Sequence, residues 1–314
     1  MADLSAGAAW MGGKVIPISE AKIGVTDWGL THSDITYDVV PVRDGGFFRL
    51  DDYLDRFHAS MAATHMDVVT HQGMDRAAIR RALHQMVGAS GLQDAYVAMV
   101  ASRGSPSVHG SRDPRDCINH FYAWVAPYVH IIKPEMVAAG ASALIAEGVH
   151  RIPASSVNPL AKNYHWGDFT TGLFQAKEAG YETVILTDHQ GNVTEGPGFN
   201  VFAVTGDTVV TPDHGILHGI SRKTALEMAT ESGLKTEVRP LSVDELLAAD
   251  EVFLSSSGGG VLPLTKVNNT IYGNGAPGPV GMQLRALYND WSARPEYREE
   301  IDYAAAETEA SATP

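Results

Sequence analysis

Short strand patterns separated by glycine turns run through the second half of the chain, and they constrain the fold most. Residues 182–188 (ETVILTD) and 199–205 (FNVFAVT) are apolar, β-branched runs of strand length, and glycine turns follow both. A helical pattern then covers 221–232, and a capping box (Ser242, Glu245) opens a short helix. The order strand, turn, strand, helix predicts a mixed α/β domain.

The first half of the chain carries its own strand and helix signals. Gly45-Gly46 lies between apolar runs and predicts a hairpin, and helical spacing follows from Leu50 and again over 75–89. Residues 95–102 and 120–129 read as strands. We therefore predict a small N-terminal α/β domain over 1–129, a linker over 130–136, a larger domain over 137–303 and a disordered tail over 304–314.

Composition narrows the class of protein. The 314 residues suffice for two domains, and a net charge of −14 argues against binding to nucleic acid or to an anionic membrane surface. The one cysteine, Cys117, excludes an intrachain disulfide and favours a reducing compartment. The first residues lack a signal-peptide pattern, and no stretch has the length of a membrane span. We expect a soluble cytoplasmic protein that binds no metal.

Lys162 is the strongest candidate for covalent chemistry. It lies in AKNYHWGD (161–168), with a strand-like apolar stretch before it and a helical pattern from Trp166 after it. An isolated lysine is ordinarily a solvated surface group. In an apolar pocket, burial lowers the pKa of a lysine, and the neutral amine can form a Schiff base with an aldehyde.

Glu195 lies in a Gly/Pro-rich segment, TEGPGFN (194–200), that joins two strands. Such a turn can hold a carboxylate toward a fixed target, although an exposed acid on a hairpin turn is the simpler interpretation.

Two further segments can bind an anion. His218-Gly219-Ile220-Ser221-Arg222 stands at the start of a helix, where backbone N–H groups and the helix dipole favour negative charge; alternatively, Ser221 only caps the helix. Ser255-Ser256-Ser257-Gly258-Gly259-Gly260 follows an apolar strand, and either a phosphate cradle or a flexible linker fits that composition.

Taken in order, these four segments resemble the fold-type IV enzymes that depend on pyridoxal 5′-phosphate (PLP). The Glu-Gly-x-Gly-x-Asn pattern, the upstream Lys-Asn and the downstream Gly-Ile-Ser-Arg carry the resemblance, which covers about residues 12–303. It implies a two-domain α/β fold with a C-terminal pseudo-barrel, aminotransferase activity, PLP as cofactor, and a homodimer with the active site at the subunit interface.

The resemblance also implies a role for each site residue. Lys162 is the expected Schiff-base lysine and proton carrier, and Glu195 the expected partner of the pyridine nitrogen. The expected phosphate ligands are Arg56, Ile220, Ser221, Ser256 and Ser257. His32, Tyr37, Val39, Tyr96 and Trp166 match residues that line the substrate pocket of (R)-selective amine transaminases.

Two positions depart from that subtype. Ala98 stands where some amine transaminases have glutamate, and His109 where some have an arginine that holds the substrate carboxylate. Arg103 or Arg112 could take over that contact. We therefore expect an (R)-amine donor and a keto acid acceptor such as pyruvate, and keep a branched-chain or D-amino acid aminotransferase as the alternative. An aminodeoxychorismate-type lyase and a non-catalytic relative are further alternatives.

Other motifs favour different chemistry only weakly. Gly273-Asn-Gly275-Ala-Pro-Gly278 matches a dinucleotide fingerprint, but it contains a proline and too little chain follows for a βαβ unit. His214 and His218 lack an accompanying carboxylate for a metal site, and Cys117 with His120 lacks an oxyanion-hole signature.

Overall fold

A computed structural model describes residues 3–304, which form two compact units. The first unit contains residues up to 129 together with 161–164 and the described residues from 292 onward. The second contains 130–160 and 165–291. The predicted linker, 130–136, belongs to the second unit, and a helix, Pro134–Ala139, begins inside it. Apart from residue 304, the predicted disordered tail lies outside the described residues.

The first unit is a seven-stranded antiparallel sheet with helices. Its strands are β1 (Ala8–Met11), β2 (Lys14–Pro17), β3 (Ile35–Arg43), β4 (Gly46–Phe48), β5 (Ala95–Ser102), β6 (His120–Pro127) and, late in the chain, β16 (Arg298–Glu300), in the order β16-β4-β3-β5-β6-β1-β2. Its helices are α1 (Trp28–Thr31), α2 (Leu50–Ala63), α3 (Val68–Gln72) and α4 (Arg76–Ser90). The predicted hairpin is confirmed as the β3–β4 pair.

Side-chain alternation gives strands β3, β5 and β6 two different faces. One face is covered by helices, since α2 packs on β3 and α4 packs on β5 and β6. On β6, Phe121, Ala123 and Val125 are fully buried, whereas Tyr122 and Trp124 between them are only half-buried. The two sets therefore point to opposite faces of the sheet.

The second unit is built around a mixed nine-stranded sheet. Its strands are β7 (Ala141–His150), β8 (Thr183–Thr187), β9 (Glu195–Gly196), β10 (Phe199–Thr205), β11 (Thr208–Thr211), β12 (Lys235–Val238), β13 (Glu251–Ser256), β14 (Gly260–Val267) and β15 (Thr270–Ile271). The main path is β12-β11-β10-β13-β14-β7-β8, with β9 paired to β10 and β15 to β14. The pairs β11–β12, β14–β7 and β7–β8 are parallel.

Helices of the second unit are α5 (Pro134–Ala139), α6 (Gly167–Glu178), α7 (Ile220–Glu231), α8 (Val243–Ala248) and α9 (Pro279–Ser292). The core consists of branched side chains from the sheet, such as Val201, Leu254 and Leu264, which are fully buried. The predicted N-cap is confirmed, since Ser242 Oγ accepts a hydrogen bond of 3.1 Å from the Glu245 N–H. The Glu245 side chain accepts from Arg239 at 2.6 Å.

One local expectation is wrong. The stretch immediately before Lys162 is not a strand, because β7 ends at His150 and residues 151–160 run through turns and irregular backbone. Pro153 and Pro159 lie in that stretch. A proline has no N–H to donate to a sheet and restricts the residue before it, so neither position suits continued pairing inside a sheet.

Candidate active site

Lys162 is held by its backbone against strand β3 and helix α2. The Lys162 carbonyl accepts hydrogen bonds from the Tyr37 N–H (3.1 Å) and from Thr36 Oγ1 (2.8 Å). Its N–H donates to Ser60 Oγ at 3.3 Å. The Lys162 Nζ lies 4.5 Å from the centre of the Tyr37 ring. Because the Lys162 N–H and carbonyl are both hydrogen-bonded, the position from which its side chain extends is fixed.

The Tyr37 ring belongs to a largely aromatic cluster of the first unit, which we call the aromatic face. It consists of buried Ile35, Tyr37, Val39, Ala98 and Val100 and half-buried Tyr96, Tyr122, Trp124 and Tyr164. Strand register places Ala98 between Val39 and Trp124. Burial raises the pKa of the Tyr96, Tyr122 and Tyr164 hydroxyls, so these phenols stay neutral at physiological pH.

Arg56 forms a two-pronged ion pair with a buried aspartate. Its Nε and Nη2 donate to the Asp38 carboxylate at 2.8 and 2.6 Å, and the Asp38 side chain is fully buried. Burial opposes the charge of the guanidinium, but Asp38 outweighs it and raises the pKa of Arg56. Asp38 thus fixes the orientation of Arg56, the arginine that the family resemblance predicts to bind phosphate.

Glu195 is a buried carboxylate in the second unit with a donor at each oxygen. Arg151 Nε donates to Oε1 at 3.0 Å, and the Leu217 N–H donates to Oε2 at 2.9 Å. Arg151 also donates from Nη1 to Asp168 Oδ2 at 2.6 Å, and its guanidinium stacks over the Phe169 ring. Because these donors favour the charged form, Glu195 is arranged to act as an anion.

Helix α7 begins next to the segment that donates to Glu195. Gly219 is the N-cap, and Ile220 and Ser221 are the first two helical residues, so Ser221 is not the cap. The first N–H groups of a helix have no acceptor within it and are suited to an anion. Ser221 Oγ lies 2.9 Å from the Tyr288 hydroxyl, which is a contact with helix α9.

The Ser/Gly segment is a tight hairpin turn between β13 and β14, not a linker. Ser256 pairs with Gly260, where φ is +69° and a Cβ would lie 2.8 Å from the Tyr288 ring. Ser256 Oγ donates to the Gly198 carbonyl at 2.7 Å, so its proton is already used inside the unit. Ser257 is half-buried at the turn.

The remaining candidate residues lie in several places. His32 is exposed at the end of α1, with its ring 4.6 Å from Trp28, and His109 is exposed in the loop after β5. Trp166 is the N-cap of α6 and packs edge-on against Phe169. Arg103 is buried and binds Asp34 and the carbonyls of Thr64 and His65, so its donors are engaged within the unit.

The structure gives other contacts to the residues that could have formed a dinucleotide site or a thiol hydrolase. The glycine-rich segment 273–278 precedes α9, but Glu251 fills that helix start by accepting from the Val280 and Gly281 N–H groups. Cys117 is buried, which raises its thiol pKa, and His120 binds Asp27 at 2.6 Å. Residues 3–304 contain no group of His, Cys, Asp and Glu side chains suited to a metal, and no helix there is both long and apolar enough to cross a membrane.

Sequence reasoning missed Arg151, Asp38 and Trp124. Arg151 and Asp38 act through partners 44 and 18 positions away, and nothing in local spacing indicates such pairs. Trp124 could have been found, because Tyr122 and Trp124 alternate with smaller side chains in HFYAWVAP and period 2 assigns them to one face.

Comparison with known proteins decides the family. The model of the family described as amino-transferase class IV matches residues 36–267. The chain belongs to the class IV aminotransferases.

The similarity to individual class IV relatives extends over nearly the whole chain. A D-alanine aminotransferase of Bacillus licheniformis is 29% identical over 88% of this chain and 94% of its own length. The branched-chain-amino-acid aminotransferase of Escherichia coli K12 is 24% identical over 89% of this chain and 91% of its own. The branched-chain amino acid aminotransferase of Thermobaculum terrenum, crystallised in its PLP form, superposes with a TM-score of 0.81 at 23% identity, over 96% of this chain and 100% of that one. The fold-type IV prediction is confirmed, and the enzyme is a PLP-dependent aminotransferase.

The side chains present fit PLP. Lys162 has a fixed backbone, and the buried Glu195 carboxylate pairs with Arg151. Helix α7 begins directly after Gly219. Ser255 Oγ adds a polar atom that is buried and, within the described residues, has no hydrogen-bond partner. Since Ser255 and Glu195 both pair with Asn200, the three side chains share one face of the sheet. A cofactor rich in polar groups suits such a face.

Proposed function

We propose that this aminotransferase moves the amino group of an (R)-amine with an aromatic or apolar substituent to a keto acid such as pyruvate. The observation that carries the proposal is the aromatic face beside Lys162. Its side chains are uncharged, which suits an amine donor without a carboxylate better than a charged amino acid.

In this proposal each predicted residue keeps the role that the family resemblance implies. PLP, when bound, supplies the aldehyde that captures the amine and a ring that accepts electrons. Lys162 binds the cofactor, removes the proton from the donor α-carbon and returns it to C4′. Glu195 keeps the ring nitrogen protonated.

The other predicted residues bind the phosphate group of the cofactor or line the substrate pocket. Arg56, the Ile220 and Ser221 N–H groups, Ser256 and Ser257 bind the phosphate. The Ser256 hydroxyl would bind the phosphate by giving up its hydrogen bond to the Gly198 carbonyl, or the Ser256 N–H group would bind it instead. His32, Tyr37, Val39, Tyr96, Ala98, His109 and Trp166 line the substrate pocket.

A donor screen tests the proposal. (R)-1-Phenylethylamine, its (S) enantiomer and leucine are each supplied with pyruvate, and alanine formation is followed. D-Alanine is supplied with 2-oxobutyrate, and 2-aminobutyrate formation is followed, because transfer from D-alanine to pyruvate gives no net change. We expect kcat/KM to be highest for the (R)-amine. A preference for the (S) enantiomer would contradict the stereochemical part, and a preference for an amino acid would contradict the donor class.

A second candidate is a branched-chain or D-amino acid aminotransferase. It is favoured by the relatives, whose names specify branched-chain amino acids and D-alanine. Faster turnover of leucine or D-alanine in the same screen would select it. Pyruvate release from aminodeoxychorismate without a donor would instead indicate a lyase.

We also expect a homodimer and a cytoplasmic location. Apolar side chains exposed in the first unit, among them Val25 (80% exposed), Leu30 (61%) and Val108 (56%), are candidates for burial by a second copy.

A further inference from the structure

The backbone of Leu217 is bound by two side chains that face each other across a strand pair. Its N–H donates to Glu195 Oε2 at 2.9 Å, and its carbonyl accepts from Asn200 Nδ2 at 2.9 Å. Glu195 and Asn200 are direct partners in the β9–β10 hairpin. Asn200 and Glu195 therefore hold Leu217 from its two polar groups.

Asn200 also contacts the start of helix α7. A Cβ added to Gly219 would lie 2.2 Å from Asn200 Oδ1, a distance that carbon and oxygen atoms cannot share. The φ of Gly219 is −63°, which every residue tolerates. Gly219 is thus required by the approach of Asn200, not by its backbone conformation.

We propose that Asn200 is a positioning residue that couples the acid for the ring nitrogen to the phosphate-binding start of α7. The proposal rests on the proposed roles of Glu195, Ile220 and Ser221. Through Leu217, Asn200 sets the direction of the N–H that binds Glu195. Through Gly219, it sets where the first N–H groups of α7 lie.

The chemistry of asparagine explains why this residue type is used. Its amide offers a donor to the Leu217 carbonyl and a compact oxygen against Gly219. Aspartate has the same shape but places an acceptor against that carbonyl and adds a charge in the same row as Glu195. Asn200 follows Glu195 by five residues, and the β9–β10 hairpin turns within this interval, so the two residues lie opposite each other.

Cofactor and phosphate binding to the apoprotein test the coupling without turnover. PLP is titrated into full-length apoprotein by absorbance, and inorganic phosphate is assayed by the rise in melting temperature that it causes. The variants are Asn200→Leu, which keeps the shape, and Asn200→Asp. The matched control is Thr194→Val, which loses one buried hydrogen bond, from Thr194 Oγ1 to the Leu186 carbonyl (2.8 Å), in the same unit.

We expect both Asn200 variants to bind PLP at least about tenfold more weakly and to lose most of the phosphate response. Thr194→Val should melt earlier but bind both ligands within about threefold of wild type. Binding of both ligands by folded Asn200→Leu at wild-type strength would overturn the proposal. Weaker PLP binding with an unchanged phosphate response would overturn the coupling.

A double-mutant cycle tests the same contact if Asn200→Leu does not fold. Gly219→Ala should weaken PLP binding about tenfold in wild type but less than about threefold in Asn200→Ala, where the clashing oxygen is gone. Additive effects would overturn the proposal. Failure of the proposed function is recognised separately, because it would appear in the donor screen while wild-type protein still bound PLP and phosphate.

Discussion

At the scale of single residues, Arg151 pairs with more than one acidic side chain of the second unit. It neutralises two buried carboxylates, those of Glu195 and Asp168. Removal of one partner from a buried ion pair costs about 3–5 kcal/mol, whereas an exposed pair is worth about 0–1 kcal/mol.

Arg151→Gln should therefore destabilise the protein by several kcal/mol, on the order of 3–5. Urea denaturation of the apoprotein measures the change, with Arg239→Gln as control, because Arg239 pairs with Glu245 at the surface. Equal destabilisation by the two variants would show that the fold does not depend on Arg151 in this way.

Acceptor binding is a second question at the residue scale. Because Arg103 is committed to Asp34 and two carbonyls, His109 and Arg112 remain as candidates for the acceptor carboxylate. Loss of a hydrogen bond to a charged group is worth about 1.5–3 kcal/mol, which is about tenfold or more in affinity.

The combined variant His109→Ala/Arg112→Ala should raise the KM for pyruvate about tenfold and leave the KM for the amine unchanged. Steady-state kinetics with each substrate varied in turn measures both. Arg103→Ala should instead lower the melting temperature. An unchanged pyruvate KM in the double variant would exclude both residues.

At the scale of elements, Asp27 ties helix α1 to strands β5 and β6. It accepts hydrogen bonds from Ser102 Oγ (2.5 Å), the Gly29 N–H (2.7 Å) and His120 Nε2 (2.6 Å). Burial opposes its ionisation, but the donors outweigh burial and lower the pKa of Asp27 below 3.8. The stability that this carboxylate contributes is complete above about pH 4 and is lost as the pH falls through the depressed folded-state pKa.

Asp27→Asn should therefore lower the melting temperature at pH 7 by more than at pH 3. Melting curves between pH 2 and 7, about the range over which carboxylates titrate, measure this difference. Asp290→Asn, at an exposed position of α9, serves as control. A loss for Asp27→Asn that is constant across the range would contradict the assignment.

Elements were more predictable from the sequence than the contacts between them. Strands 95–102 and 199–205 were predicted with the bounds that the structure gives, because their apolar runs end at loop and turn residues. The helix predicted over 75–89 occurs as Arg76–Ser90, capped by Asp75 and Gly91. The roles of Asp38 and Arg151 were not predictable, because each depends on tertiary pairing. The irregular stretch before Lys162 was misjudged because apolar residues there resemble a strand.

At the scale of the whole molecule, we predict that the active enzyme contains two copies of the chain. Sedimentation equilibrium should give twice the chain mass of 33.6 kDa. Replacement of exposed Val25 and Leu30 by Asp should shift the mass toward that of one chain, whereas Phe174→Asp, in the second unit, serves as control. A single-chain mass for fully active wild-type protein would contradict the prediction.

The central claim is that Lys162 carries the cofactor, and borohydride reduction of the PLP-loaded enzyme tests it most directly. Reduction converts a Schiff base into a stable secondary amine, which peptide mapping then locates. We predict the phosphopyridoxyl label on Lys162, its loss in Lys162→Ala and its retention in Lys266→Ala, a half-buried lysine whose Nζ lies 4.9 Å from the Tyr181 ring. A label on another lysine, or no label in cofactor-saturated protein, would contradict the account.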